Sequence, residues 1–299
     1  MKVVVTGGAG FIGSHVVDAL RARDIQVLVF DRNELHDFHR SDVEFQLGDV
    51  RDPGAITTAI DSCDGVIHLA ATLGTQETIN RSRYITESNI LGSLNVFKGC
   101  RDQSKKGVYI TVGNHWMNNP YSITKSLSER FALMFNREFG TRIAVVRGLN
   151  AYGPRQKQFP VRKIMPNFIV PSLKGEPITI YGSGNQIMDM IYVEDLAELM
   201  VRALILDHDV YDACFEAGMG EDTTVNDLAE AVVDMTASDS PLNHVGMRPG
   251  EIPESVVKAD ISLLRKLDWL RSDFTPLDAG ISATINWYST GGQSTADAT

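Results

Sequence analysis

Short, uninterrupted apolar runs alternate along the chain with longer stretches whose apolar positions fall three and four apart. The runs are Val3-Val4-Val5, Val27-Leu28-Val29-Phe30, Val66-Ile67-His68-Leu69-Ala70, Val108-Tyr109-Ile110 and Ile143-Ala144-Val145-Val146. They are rich in β-branched residues and suit parallel strands covered on both faces. Between them, residues 12–23 place Ile12, Val16, Val17 and Leu20 on one helical face. Residues 84–100 do the same with Ile90, Leu91, Leu94 and Phe97, and residues 122–139 with Leu127, Phe131, Met134 and Phe135. Repeated strand–helix–strand units predict an α/β fold with a doubly wound parallel sheet, because right-handed crossovers put helices on both of its faces.

After Arg147 the texture changes. Gly, Pro and charged loops become common, as in Tyr152-Gly153-Pro154-Arg155 and Tyr181-Gly182-Ser183-Gly184. A smaller, less regular second unit is expected there. The division drawn assigns 1–155 and 187–207 to the first unit, 156–186 and 208–288 to the second. The small, polar stretch 289–299 is expected to be a disordered tail.

Composition narrows the function. Lys plus Arg is 28 against 38 Asp plus Glu, a net charge of −10 over 299 residues. No basic stripe exceeds Lys105-Lys106, so a nucleic acid partner is not expected. No window approaches the ~18 consecutive apolar residues of a membrane helix, so no membrane partner is expected either. Cys63, Cys100 and Cys214 are scattered, without metal-ligand or disulfide spacing. With a core strand at the very start in place of a signal peptide, these features point to the cytoplasm and to no metal.

The first strand runs into Thr6-Gly7-Gly8-Ala9-Gly10-Phe11-Ile12-Gly13, and a helix follows. Gly8, Gly10 and Gly13 have the spacing that lets a backbone approach a pyrophosphate and a helix pack against its strand. The amides of Phe11 and Ile12 open the helix, whose dipole favours the phosphates. Asp31 ends the second strand, 24 residues beyond Gly7, where a carboxylate accepts from ribose hydroxyls and repels a 2′-phosphate. That favours NAD over NADP, and the neighbouring Arg32 tempers the preference. Asp49 and Val50 follow a third strand and could edge the adenine. Leu69, Ala70 and Ala71 end the fourth strand with room for backbone approach, whereas His68 reads as a core histidine.

Tyr121 and Lys125 lie four apart at the start of a helix after the fifth strand and share one face. A free tyrosine, with pKa about 10, is a poor base. A nearby ammonium and a cationic nicotinamide favour its phenolate, and bringing it near neutrality takes roughly 4 kcal/mol of differential stabilisation. Such a phenolate takes a proton from a sugar hydroxyl as hydride leaves the same carbon.

These landmarks resemble the extended short-chain dehydrogenase/reductases, and among them the NAD-dependent nucleotide-sugar epimerases and dehydratases such as UDP-glucose 4-epimerase. The resemblance runs from Met1 to about Tyr288. It adds Asn89 with Gly92, the segment Arg147-Gly148-Leu149-Asn150-Ala151-Tyr152-Gly153-Pro154-Arg155, then Asp189 to Asp195, and Arg248-Pro249-Gly250-Glu251. It implies a Rossmann-like cofactor domain and a C-terminal nucleotide-sugar domain with tightly held NAD. It also implies Asn89 at the cofactor, Asn150, Arg155 and Arg248 at the substrate, and a homodimer built through residues 84–100 and 122–139.

Three departures stand out. Relatives place a catalytic Ser or Thr just after the fifth strand, and the aligned position here is Gly113. Thr111 shares its side of the strand about 6.5 Å back, and Asn114 is the other candidate donor. The loop from Gly113 to Tyr121 is short, and Gly113-Asn114-His115 lacks the Asp-Glu pair of the 4,6-dehydratases. Finally, Met188 stands where an arginine grips the substrate diphosphate, leaving Arg248, with Arg155, Arg162 and Lys163 in reserve.

The expected activity is epimerisation of a nucleotide-diphosphate sugar, at C4, through a 4-keto intermediate. Dehydration, decarboxylation or net dehydrogenation after the same oxidation is the enzymatic alternative. A non-catalytic NAD sensor or scaffold is the alternative from another class.

Overall fold

The computed structural model describes residues 1–35 and 43–291. Its first strands are β1 (Lys2–Thr6), β2 (Gln26–Asp31), β3 (Glu44–Leu47), β4 (Gly65–His68), β5 (Lys106–Val112) and β6 (Arg142–Gly148). They are followed by β7 (Asn150–Tyr152), β8 (Ile178–Tyr181), β9 (Ile187–Met188), β10 (Met190–Tyr192), β11 (Cys214–Ala217), β12 (Leu242–Val245) and β13 (Val256–Val257). The helices are α1 (Phe11–Arg21), α2 (Pro53–Asp61), α3 (Ser82–Thr86), α4 (Gly92–Asp102), α5 (Pro120–Phe139), α6 (Ile164–Leu173), α7 (Val193–Ile205), α8 (Val225–Met235) and α9 (Leu277–Ser289).

Seven strands form one sheet in the order β11-β6-β5-β4-β1-β2-β3, all paired parallel. This is the doubly wound, Rossmann-like α/β sheet that the apolar runs predict. In β1 the pleat sends Val3 and Val5 to one face and Val4 to the other. Val3 and Val5 join the core under α1 and α7, with Val16, Leu20 and Leu196. Val4 joins the core under α2, α4 and α5, with Ile56, Phe97 and Tyr109. The chain leaves β1 for β2 and β3 on one side and returns to β4 on the other. A crevice opens where the direction reverses, beyond the carboxyl ends of β1 and β4.

The smaller unit has its own core, including Met165, Phe168, Ile178, Leu228, Ile281 and Tyr288. The two short pairs β8–β12 and β9–β13 belong to this half of the chain. The expected division needs correction at one place, because residues 208–288 do not all lie in this unit. β11 is the edge strand of the large sheet, and Leu264, Leu267, Trp269 and Phe274 fill the core beneath α7. A strand so far along the chain pairs with β6 because its Phe215 and Ala217 complete that core. Of the expected tail, residues 292–299 lie outside the described residues, while Ser289 still closes α9.

Helix α5 begins with Pro120 behind the Asn119 cap, whose side chain accepts from the Ser122 amide at 2.9 Å, and it ends at Gly140 in the left-handed region. Its buried face is only in part the apolar one expected: Phe131, Met134 and Phe135 pack against the core, while Leu127 faces outward. Of Leu127, Phe131, Met134 and Phe135 only Phe135 is buried, and Leu127 is 39% exposed. The face against the sheet carries Ser122, Lys125, Ser128, Glu129 and Ala132. Glu129 is held there by Arg147 of β6, at 2.5 and 3.1 Å, and Arg147 also reaches Glu216 of β11 at 2.8 Å. A π-helical turn at Glu87–Leu91 joins α3 to α4. The Asn89 carbonyl within it accepts from Ser93 Oγ at 2.6 Å and Ser128 Oγ at 2.9 Å, tying α4 to α5. Among the described residues no helix is long and apolar enough to cross a membrane.

Arg147→Met removes both bonds that neutralise the buried Glu129 carboxylate. It is expected to cost about 3–5 kcal/mol, read as a lowered denaturation midpoint. Unchanged stability would show that Glu129 needs no counter-charge.

Candidate active site

One cavity of about 1140 Å³ runs from the carboxyl ends of β1, β2 and β4 to the face of α6 and β8. A single small-molecule pocket is typically about 300–1,000 Å³, so there is room for two ligands.

At one end lies the turn from β1 into α1. Gly7 has φ +76°, and a Cβ there would stand 2.7 Å from the Ala70 amide nitrogen. A Cβ on Gly13 would collide with the Gly7 carbonyl oxygen. The turn and helix therefore close to backbone distance, as the glycine spacing predicts. No side chain caps α1, and Gly10, Phe11 and Ile12 line the cavity. Its first-turn amides are free for an anion. Asp31 is 7% exposed and accepts from the amides of Ala9 and Asn33, both at 3.0 Å. Burial pushes its carboxyl upward, and these N–H groups oppose that shift. The uncapped helix, the side-chain-free cradle and the acid at the end of β2 fit NAD.

The neighbours of this end are more committed than the spacing suggests. Asp49 lines the cavity, but both its oxygens are taken by Arg51 at 2.7–3.0 Å, which holds its carboxyl below the usual range. Arg32 donates to the Tyr84 hydroxyl at 2.6 Å, and Arg81 stacks over the same ring at 4.6 Å. Val50, Leu69, Ala70 and Ala71 line the cavity. Asn89 does not: its amide accepts from the Thr72 N–H at 2.7 Å and donates to the Thr72 carbonyl and Thr124 Oγ1, both at 3.1 Å. It acts by fixing the loop after β4. His68 is a core histidine, bonded to Thr6 and Ser93 and pushed down to about 3 by burial and by Lys125.

In the middle, Tyr121 and Lys125 both line the cavity. Lys125 is 2% exposed, with Nζ 4.2 Å from the centre of the Tyr109 ring. Burial pushes its ammonium down to about 7, against the opposing pull of Glu129. Burial pushes the Tyr121 phenol up. This runs against the expected lowering: in the chain alone, desolvation favours both neutral forms.

The end of β5 answers the question of the missing hydroxyl only in part. Thr111 is 2% exposed, and its hydroxyl donates to the Lys125 carbonyl at 3.3 Å. Asn114 lines the cavity, accepts from Ser122 Oγ at 3.3 Å and points its amide nitrogen at Met117 Sδ, 3.4 Å away.

At the far end, Met188 lines the wall where an arginine was expected. Arg248 lies over the Tyr181 ring at 5.0 Å and donates to Glu251, and its buried Nε has no hydrogen-bond partner among the described residues. Lys163 lines the same region among Glu77, Arg248 and Glu251, its ammonium pushed down by burial. Arg155 also lines the cavity, but its guanidinium is turned to Asp18 of α1 at 2.7 Å, away from the role expected for it. Asn150 spends its amide on the Asp189 carbonyl at 3.0 Å. Sequence reasoning missed Gln156 and Gln186. Each lines the cavity with a buried side-chain oxygen that has no hydrogen-bond partner among the described residues, and of the two only Gln186 stands in a motif segment, two residues before Met188.

The profile of the NAD dependent epimerase/dehydratase family matches residues 3–212. A putative UDP-glucose 4-epimerase of Methanocaldococcus jannaschii is 28% identical, over 95% of this chain and 97% of its own length. The solved UDP-glucose 4-epimerase of Thermotoga maritima, with UDP-glucose, superposes with a TM-score of 0.89 at 26% identity, covering 97% of this chain and 99% of that one. The Thermus thermophilus UDP-glucose 4-epimerase in complex with NAD gives 0.86 at 26% identity, over 97% and 100%.

Lys125 makes stability depend on pH with a definite sign. Its native pKa of about 7 lies below the roughly 10.4 of an unfolded lysine, so the unfolded chain binds more protons between those values. Stability of the cofactor-free chain therefore rises with pH across that window. Lys125→Met should stabilise the cofactor-free protein most below pH 7, the gap closing toward pH 10. Urea midpoints at several pH values test this, and a gap that widens with pH would refute it.

Proposed function

We propose, from the premise that this chain belongs to the NAD dependent epimerase/dehydratase family, that it is an NAD-dependent epimerase of a nucleotide-diphosphate sugar, acting at C4 through a transient 4-keto sugar. The observation that carries the reading is the shared cavity. Tyr121 and Lys125 open into the same space as the α1 N-terminus and Asp31, with a second, cation-bearing chamber beyond them.

The division of labour follows the fold. The turn at Gly7–Gly13 and Asp31 hold the dinucleotide, and the smaller unit holds the sugar nucleotide. NAD, when bound, supplies reversible hydride exchange at the sugar carbon. Tyr121 takes the proton of the C4 hydroxyl and returns it to the reduced product, acting as base and then acid. Lys125, next to it on α5, stabilises the phenolate once its own ammonium is drawn back by a ribose hydroxyl or by charge. Arg248 and Lys163 stand nearest to the role left open by Met188, that of neutralising the substrate diphosphate. Gly113-Asn114-His115 offers no carboxylate pair to expel the C6 hydroxyl, which favours epimerisation over dehydration.

The homodimer is part of the same proposal. Ile123 and Leu127 on α5, and Leu91 at the start of α4, are 43%, 39% and 50% exposed. They form the apolar stripe that packing against the sheet leaves outside, and a second copy of the same two helices would bury it. Leu127→Glu should convert a dimer to a monomer in sedimentation equilibrium. A wild-type chain that sediments as a monomer would end this part of the reading.

Turnover is tested with a panel of UDP-, GDP- and dTDP-sugars. An epimerised product that keeps its C4 deuterium, without net NADH, is the expected outcome. Tyr121→Phe should lower kcat by at least about 10²-fold while NAD stays bound. Full activity in that variant, or net NADH accumulation, would overturn the mechanism.

A further inference from the structure

The end of β5 is built around a side chain rather than around a hydroxyl. Leu149 follows β6, and its amide donates to the Ala217 carbonyl at 3.0 Å. Its side chain lies between two glycines. A Cβ on Gly113 would stand 2.7 Å from Leu149 Cγ, and one on Gly218 would stand 2.9 Å from Leu149 Cδ2. The space a residue at 113 would use is therefore filled. Thr111 also lines the cavity, but its hydroxyl is engaged by the Lys125 carbonyl. In the loop between β5 and α5, Gly113, Asn114 and Met117 line the cavity, and of these only Asn114 carries a hydrogen-bond donor.

We propose that the side-chain amide of Asn114 donates the hydrogen bond to the reacting sugar oxygen, and that Ser122 positions it. The proposal rests on the nucleotide-sugar reading above. Ser122 is fully buried in the first turn of α5, one residue after Tyr121, and its hydroxyl donates to Asn114 Oδ1. With its oxygen engaged in that way, the amide presents Nδ2 to its other side. Its partner there among the described residues is Met117 Sδ at 3.4 Å, a weak acceptor that a sugar oxygen displaces readily. Because Ser122 and Tyr121 are adjacent on one helix, the donor and the base are indexed to the same element.

The chemistry differs from that of a serine or threonine. An amide N–H donates but neither takes nor releases a proton. It favours the developing C4 carbonyl, while the hydroxyl proton passes directly to the Tyr121 oxygen with no side-chain hydroxyl between them. Asn114 is then a catalytic residue by electrostatic stabilisation, and Ser122 a positioning residue.

The test uses the full chain loaded with NAD. In ¹⁵N-labelled protein the Asn114 NH₂ pair is identified by its disappearance in Asn114→Ala. It should move when UDP-glucose is added, and should already move in Ser122→Ala without the sugar. On whichever sugar nucleotide the wild type turns over, Asn114→Ala and Asn114→Asp should each lose about 10²–10³-fold in kcat with little change in KM. Asn114→Ser, which keeps a donor, should recover part of the loss. An amide pair that ignores UDP-glucose, with Asn114→Ala within about twofold of wild-type kcat, overturns the proposal. So does a large loss in Thr111→Val that Asn114→Ala does not share. A wild-type chain that turns over no sugar nucleotide refutes the nucleotide-sugar reading instead, and the amide shift then decides the placement of Asn114 by itself.

Discussion

Helix α5 must bring an ammonium to the dry side of the sheet, and much of the surrounding structure answers to that demand. Lys125 sits against the face of Tyr109, where a cation meets an aromatic quadrupole rather than a carboxylate. One turn later comes Glu129, close enough to pull on that charge but neutralised by Arg147. A free carboxylate in this place would keep Lys125 locked as an ammonium. With Glu129 paired to Arg147, burial holds the Lys125 ammonium down at about 7. The same demand makes the inner face of α5 polar, and so leaves Ile123 and Leu127 on the outside.

That inversion explains where the sequence could and could not be read. The β1–α1 turn and Asp31 were legible because their constraints are local: a glycine is needed where backbone meets backbone, and an acid where the next strand ends. The pair Tyr121 and Lys125 was legible because helix periodicity alone puts them on one face. Periodicity read the burial of α5 only in part, since it treats apolar positions as inward, and here Lys125 and Glu129 are inward beside Phe135 while Leu127 is not. β11 was misassigned because its partner β6 lies some seventy residues back, bonded through Cys214 opposite Val145. The protein partners of Arg155 and Asn89 were not legible for a related reason. Asp18 is 137 residues from Arg155, and the loop that Asn89 secures is 17 residues away. Nothing in a linear motif records such partners.

The two ends of the cavity meet negative charge in different ways. At α1 the chain uses backbone amides, which cost no net charge and suit an acidic protein. At the far end it relies on side chains, Arg248 and Lys163, each set among carboxylates. Those carboxylates are a cost to binding an anion there, because Glu251 competes for Arg248. The buried Nε of Arg248 and the oxygens of Gln156 and Gln186 are polar atoms of cavity-lining residues left without partners among the described residues. A ligand bearing both donors and acceptors satisfies them together, and a bare anion does not.

The path of the chain between the two cores has a consequence for the molecule's history. It leaves the large sheet after β6, enters the smaller core, returns for α7 and β11, leaves again for α8, and returns once more through residues 261–274 before ending in α9. Units laced together by so many crossings cannot be cut apart at one linker and traded between proteins. New substrate preferences in such an architecture must arise by replacing side chains and loops in place, at positions such as Gly113, where the Leu149 side chain fills the space beside the backbone.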